Sequence, residues 1–173
     1  MDSTASRPLV TRLPVVFAVA VFVVLLDQGT KFWAVSALTG QAPVPVFGDF
    51  LQFRLLYNSG AAFSIGAGST WIFTIITAVA VGVLVKFAMQ PSSRVQAVAL
   101  SLLLGGAVTH LLDRLFRDPG FARGHVVDFI DYNGWFVGNV ADIVLFCGAV
   151  LLLVPALFAS TSNNNREQSA PDS

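Results

Sequence analysis

Asp128 and Asp142 stand in Gly124-His125-Val126-Val127-Asp128-Phe129-Ile130-Asp131 and in Gly138-Asn139-Val140-Ala141-Asp142-Ile143-Val144, each beside a strongly apolar run in a chain that is 12% charged. Ionising a carboxyl next to hydrocarbon is costly, so a carboxylate in that setting points to function. Two carboxylates a few ångströms apart cannot both ionise, and they share one proton. A shared proton supplies an acid and a base at the same pH, which is what activating water against a carbonyl requires. It equally supplies a step in a proton or ion pathway, and the residue types alone leave both readings open. Neither aspartate has a lysine at helical spacing to neutralise it.

Other polar residues also interrupt apolar runs. Asp27 and Lys31 lie four apart, so on a helix they share one face and can pair. His110, Asp113 and Arg114 follow Gly105-Gly106-Ala107, whose small side chains let a second helix approach closely. Arg114 is placed to pair with a carboxylate and tether a neighbouring loop. Asn58-Ser59-Gly60-Ala61-Ala62-Phe63 reads as a turn entering a small-residue run. His110 and His125 have no second His or Cys at ligand spacing, so no metal site and no cofactor is expected. There is no Gly-x-Ser-x-Gly elbow, which argues against a serine hydrolase. The single cysteine, Cys147, excludes an intramolecular disulfide and reads as a small buried hydrophobe.

The elements that must position these residues follow from composition. Of 173 residues, 55% are hydrophobic, and ten basic and ten acidic residues are too few to cover a soluble domain of that size. The membrane class follows. A net charge of zero implies no polyanion partner, so no nucleic acid is expected. Four apolar stretches each approach the about 20 residues that cross hydrocarbon as a helix. They run from Leu13 to Leu38, Trp71 to Met89, Val95 to Phe116 and Trp135 to Phe158. Asp27 and Lys31 interrupt the first, which argues for a retained helix over a cleaved signal peptide.

The expected fold is therefore an all-α membrane protein. It has four transmembrane helices and a small extracytoplasmic β-like segment between helices one and two. That outer segment, 39–69, contains Pro43, Pro45 and Gly48, then the alternation Phe50-Leu51-Gln52-Phe53-Arg54-Leu55. An outer loop, 117–134, joins helices three and four. Residues 13–159 form the membrane domain, and residues 1–12 and 160–173 read as disordered tails.

Four spans put both tails on one side, taken as cytoplasmic. Lysines and arginines divide five and five between the two sides, so orientation rests weakly on net charge, which favours tails inside. In this topology Asp27, Lys31, Asn58, His110, Asp113, Arg114, Asp128, Asn139 and Asp142 gather at one depth, toward the outer leaflet. Transporters usually show internal repeats and midplane sites, and neither is legible here.

Taken together, the motifs resemble those of the lipoprotein signal peptidases (signal peptidase II), intramembrane aspartic proteases of bacteria. The resemblance spans about Leu13 to Pro155. It rests on Asp27-Gln28-x-x-Lys31, Asn58-x-Gly60-Ala61-Ala62-Phe63, Gly105-Gly106 followed by Asp113-Arg114, Val127-Asp128-Phe129, and Asn139-x-Ala141-Asp142. It implies that Asp128 and Asp142 are the catalytic dyad. It implies that Asp27, Lys31, Asn58, Gly60, Gly106, Arg114, Asn139 and Ala141 shape the site and hold substrate; His110 and Asp113 belong to the same cluster. The implied substrate is a diacylglyceryl-modified prolipoprotein, cut just before the lipidated cysteine. The implied setting is the bacterial plasma membrane, with lipids as neighbours, a monomeric enzyme and inhibition by the cyclic peptide globomycin. The loop around Arg117-Asp118-Pro119-Gly120-Phe121 looks like the actinobacterial form. Two departures stand out: Thr109-His110 where the family usually has Gly-Asn, and Gly138 where it usually has Phe.

Overall fold

Buried positions along the first helix recur every three or four residues: Val16, Ala20, Val23, Asp27, Lys31, Ala34 and Leu38. That spacing draws one narrow seam along a helix. Phe17, Val21, Phe22, Leu25 and Phe32 cover the other faces and are exposed. Apolar side chains outside and an ion pair inside reverse the arrangement of a soluble helix and suit one immersed in hydrocarbon.

The computed structural model describes residues 13–60 and 70–168, with side chains to residue 154. Its elements are α1 (Leu13–Leu38), β1 (Val44–Phe47), β2 (Leu51–Asn58), α2 (Thr70–Ala88), α3 (Arg94–Phe116), β3 (Val126–Tyr132), β4 (Phe136–Gly138) and α4 (Val140–Gln168). Ala61, Ala62 and Phe63 lie outside the described residues. By length and composition α1, α2 and α3 can each cross a membrane; the apolar part of α4 among the described residues, Val140–Val154, is shorter.

Helix α3 is the hub, packed against α1, α2 and α4. Its two adjacent glycines face different neighbours. A Cβ at Gly105 would strike Val23 of α1, and one at Gly106 would lie 2.6 Å from Leu145 Cγ of α4. Small residues thus bring the helix backbones together, as packing in lipid favours.

The strands form one antiparallel sheet in the order β1-β2-β3-β4. This corrects the all-α expectation, which confined β structure to the segment between the first two helices. The loop expected at 117–134 supplies β3, paired so that Leu56 faces Asp128 and Asn58 faces Val126. Val126-Val127-Asp128-Phe129-Ile130 does not alternate, because the strand is buried on both faces. Phe129 anchors the strand in a cluster with Ala34 and Leu38 of α1. Trp33 meets the rings of Phe53 and Phe129 edge-on, at 5.2 and 6.1 Å.

Three further expectations change. Helix α4 starts at Val140 rather than Trp135, because residues 136–138 extend the sheet. It continues to Gln168, so residues 160–168 are helical where a disordered tail was expected. Cys147 is exposed rather than buried. The apolar run around it therefore did not mean an interior position.

Candidate active site

Asp142 owes its position to the start of α4. Asn139 precedes the helix, and its side-chain oxygen accepts from the Asp142 N–H at 3.2 Å. Asp142 Oδ2 accepts in return from the Asn139 N–H at 2.9 Å. This reciprocal bonding is a capping box, and it places the carboxylate at the positive end of the helix. The other oxygen, Oδ1, lies 3.2 Å from Nε2 of His110 on α3.

Asp128 projects from β3 and is 2% exposed. Its oxygens accept from two asparagine side chains: Asn139 Nδ2 to Oδ1 at 2.6 Å and Asn58 Nδ2 to Oδ2 at 3.0 Å. Each asparagine uses its own oxygen on a backbone N–H, Asn139 on Asp142 and Asn58 on Gly60 at 2.8 Å. Their amide orientations are therefore dictated by their partners. Burial pushes the Asp128 carboxyl up to about 6; the two asparagine bonds oppose that rise, the Asp142 charge adds to it, and His110 works against it. Asn139 touches both aspartates, which joins β3 to α4.

Behind this pair lies a buried ionic network. Lys31 Nζ sits 2.7 Å from Asp27 Oδ2 and 2.7 Å from Asp113 Oδ2, with all three side chains fully buried. Asp27 Oδ1 accepts from the Ala141 N–H at 2.8 Å, and the Thr109 hydroxyl donates to Oδ2. Asp113 Oδ2 accepts from the Val127 N–H at 3.3 Å. Ala141 precedes Asp142 and Val127 precedes Asp128. Lys31 thus bridges the two carboxylates that hold the residue before each aspartate. Arg117 Nε, 2.7 Å from Asp113 Oδ1, balances the remaining charge.

A cavity of about 420 Å³ opens beside the pair, lined by Asn58, His110, Arg114, Asp128, Phe136 and Asp142 with apolar residues of α2 and α3. A second, mostly apolar cavity of about 560 Å³ is lined by Tyr132, Phe136, Gly138, Asn139, Asp142, Ile143 and Phe146. Asp142 and Phe136 border both. A Cβ at Gly138 would lie 2.6 Å from Phe136 Cε1 and 2.8 Å from Asp142 Oδ2. The aromatic surface missing at position 138 is therefore supplied by Phe136, whose ring needs the space a side chain there would fill.

Arg114 lines the first cavity but does not form the expected carboxylate pair. Its guanidinium donates to the Ser59 carbonyl at 3.4 Å and lies 5.4 Å above the Phe73 ring. Gly60 packs on the same ring, at φ +95° and with no room for a Cβ. Arg117 makes the carboxylate contact instead. Asp27, Lys31, Asp113 and Ala141 stand in the network behind the pair, and Gly106 lies where α3 meets α4.

Sequence reasoning passed over Gln28, Thr109, Arg117 and Phe136 as site residues. Gln28 Nε2 donates to Thr109 Oγ1 at 2.7 Å and to Asp113 Oδ1 at 2.8 Å. Arg117 stands four residues after Asp113, a spacing that could have revealed the pair. Thr109 stands four residues before Asp113 and Gln28 lies within the first motif, but neither position revealed the partner on the other helix.

A family model described as Signal peptidase (SPase) II matches residues 19–158. The chain is 44% identical over 143 residues to the lipoprotein signal peptidase of Streptomyces coelicolor, covering 83% of this chain and 70% of that one. It is 46% identical over 148 residues to the lipoprotein signal peptidase of Mycobacterium avium, covering 85% and 81%. A solved bacterial membrane enzyme, studied by the in meso method, superposes with a TM-score of 0.73 at 33% identity, over 83% of this chain and 93% of that one. The chain belongs to the signal peptidase II family.

Proposed function

We propose that this protein is an intramembrane aspartic endopeptidase. It removes the signal peptide from diacylglyceryl-modified prolipoproteins by cutting just before the lipidated cysteine. The observation that carries the reading is the joining of Asp128 and Asp142 through Asn139 at the wall of one cavity. The lipoprotein substrates named for its relatives support the substrate class.

Water held between the aspartates loses a proton to the ionised carboxylate and attacks the scissile carbonyl. The protonated carboxyl donates to the carbonyl oxygen. The tetrahedral diol collapses as the leaving nitrogen takes up a proton. Asp128, raised to about 6, supports a proton held on the pair. Neither a metal nor a cofactor enters the scheme. Asn58, Asn139 and Arg114 hold the walls and loop against which the peptide lies, and the lipid chains of the substrate stay in the bilayer.

In this reading α4 is a fourth span and both tails are cytoplasmic. The sheet lies at the outer face of the bacterial plasma membrane, and the enzyme acts as a globomycin-sensitive monomer. Purified protein given a diacylglyceryl-modified prolipoprotein and its unlipidated precursor tests the substrate. Mass spectrometry should find one cut, immediately before the modified cysteine, and only in the lipidated form. Equal cutting of the unlipidated precursor contradicts the proposal.

A further inference from the structure

His110 approaches Asp142 from the neighbouring helix. Its side chain is 16% exposed, and Nε2 lies 3.2 Å from Asp142 Oδ1. The other Asp142 oxygen already accepts the Asn139 N–H. An ionised carboxylate accepts at both oxygens and suits a donor at each. We infer that His110 is a positioning residue for the peptidase reaction: its Nε2–H holds Asp142 as the ionised member of the pair and leaves Asp128 as the proton carrier. The inference rests on the peptidase reading above and adds to it the division of labour between the two aspartates.

Three features support that asymmetry. Asp128 is buried, whereas the Asp142 side chain keeps 31% of its surface exposed. Asp142 sits in the first turn of α4, where the helix dipole favours negative charge. It alone of the two has an imidazole within hydrogen-bond reach, which donates from Nε2 whether neutral or cationic. Around the cavity, the titratable neighbours of His110 are Asp142 from α4, Asp128 from β3 and Arg114 one turn along α3. Among the described residues, α2 and β2 present no titratable group to it. The reaction then has a direction: Asp142 takes the proton from water, and Asp128 gives its proton to the carbonyl oxygen.

Neutral imidazole exists as two tautomers, and only the Nε2–H form can donate to Asp142. Nitrogen NMR of the full chain in detergent, with ring-labelled histidine at pH 8, reads the tautomer directly. His125, the only other histidine, is assigned with His125→Gln. The Nε2–H form is expected for His110 in the wild type, and both forms in Asp142→Ala. An Nδ1–H form in the wild type, or identical spectra in both proteins, overturns the inference.

The pH profile of cleavage supplies the second reading. His110→Gln keeps a neutral donor at similar reach but cannot carry charge. The acid limb of its kcat/KM profile should move to higher pH by about one unit, since ionised Asp142 loses a cationic neighbour. His110→Leu, lacking the donor as well, should move it at least as far. A uniform loss of rate with the acid limb unmoved indicates packing alone and overturns the inference. The tautomer measurement needs no turnover, so the two claims separate. An Nε2–H form in a folded protein that cuts nothing removes the peptidase reading and the assigned role with it, whereas normal cutting with coincident acid limbs removes only the role of His110.

Discussion

A carboxyl held near 6 inside a protein opposes folding at neutral pH. Asp128 binds its proton more tightly in the folded state, at about 6, than at the ordinary value of 3.8. Stability from this group is present below about 4 and is lost as pH rises through 6. Two units correspond to about 3 kcal/mol by pH 7. Asp128→Asn removes the titration. Its melting temperature minus that of the wild type should therefore increase between pH 5 and pH 8; a difference constant with pH contradicts the assigned burial. Asn139 is the other residue whose loss is informative. Asn139→Ala removes the bond to Asp128 and the side-chain cap of α4, and the cap alone is worth about 1 kcal/mol. Steady-state kinetics should show kcat reduced by about a hundredfold or more, with KM changed far less. At this scale the aspartates were legible because a charge beside hydrocarbon needs a reason. Thr109, a plain polar residue inside a helix, gave no hint that its hydroxyl reaches Asp27.

Between elements, Lys31 does what no single helix could. It neutralises carboxylates from α1 and α3 that grip the backbone of α4 and β3. Lys31→Leu leaves Asp27 and Asp113 buried without their shared cation, a loss of about 3–5 kcal/mol for a broken buried pair. Thermal unfolding in detergent should show a large drop in midpoint, and Lys31→Arg should restore little because the pocket is fully buried. Gly106→Val tests the contact of α3 with α4 in the same way. Its side chain would push Leu145 and Ala141, so cleavage should fall steeply while helix content by circular dichroism stays near that of the wild type. The i, i+4 spacing of Asp27 and Lys31 was readable, but Asp113 as the second partner was not, because 82 residues separate it from Lys31. The sheet was half legible for a related reason. Residues 50–55 alternate openly, whereas β3 is buried on both faces and Asp128 interrupts its apolar run.

For the whole molecule, composition predicted the solvent before any element was placed. A chain with 12% charge shows Phe22, Leu25, Phe32 and Phe146 on its outside and Asp27, Lys31 and Asp113 at its centre. The proposed topology puts the turn between β1 and β2 outside the cell and the loop between α2 and α3 inside. In a Cys147→Ala background, a membrane-impermeant maleimide should label Asp49→Cys in intact cells and Ser92→Cys only after permeabilisation. The reverse pattern inverts the topology. The family could be read from five short motifs, yet His110 and Gly138 acquired meaning only when Asp142 and Phe136 were seen beside them. The central claim is that Asp128 and Asp142 together cut the substrate. It is tested most directly by initial rates of cleavage of a diacylglyceryl-modified prolipoprotein by wild type, Asp128→Asn and Asp142→Asn, each shown to be folded. The account predicts that each variant loses at least about a thousandfold in rate, since each removes half of the acid–base pair. Cleavage by either variant within about tenfold of wild type contradicts it.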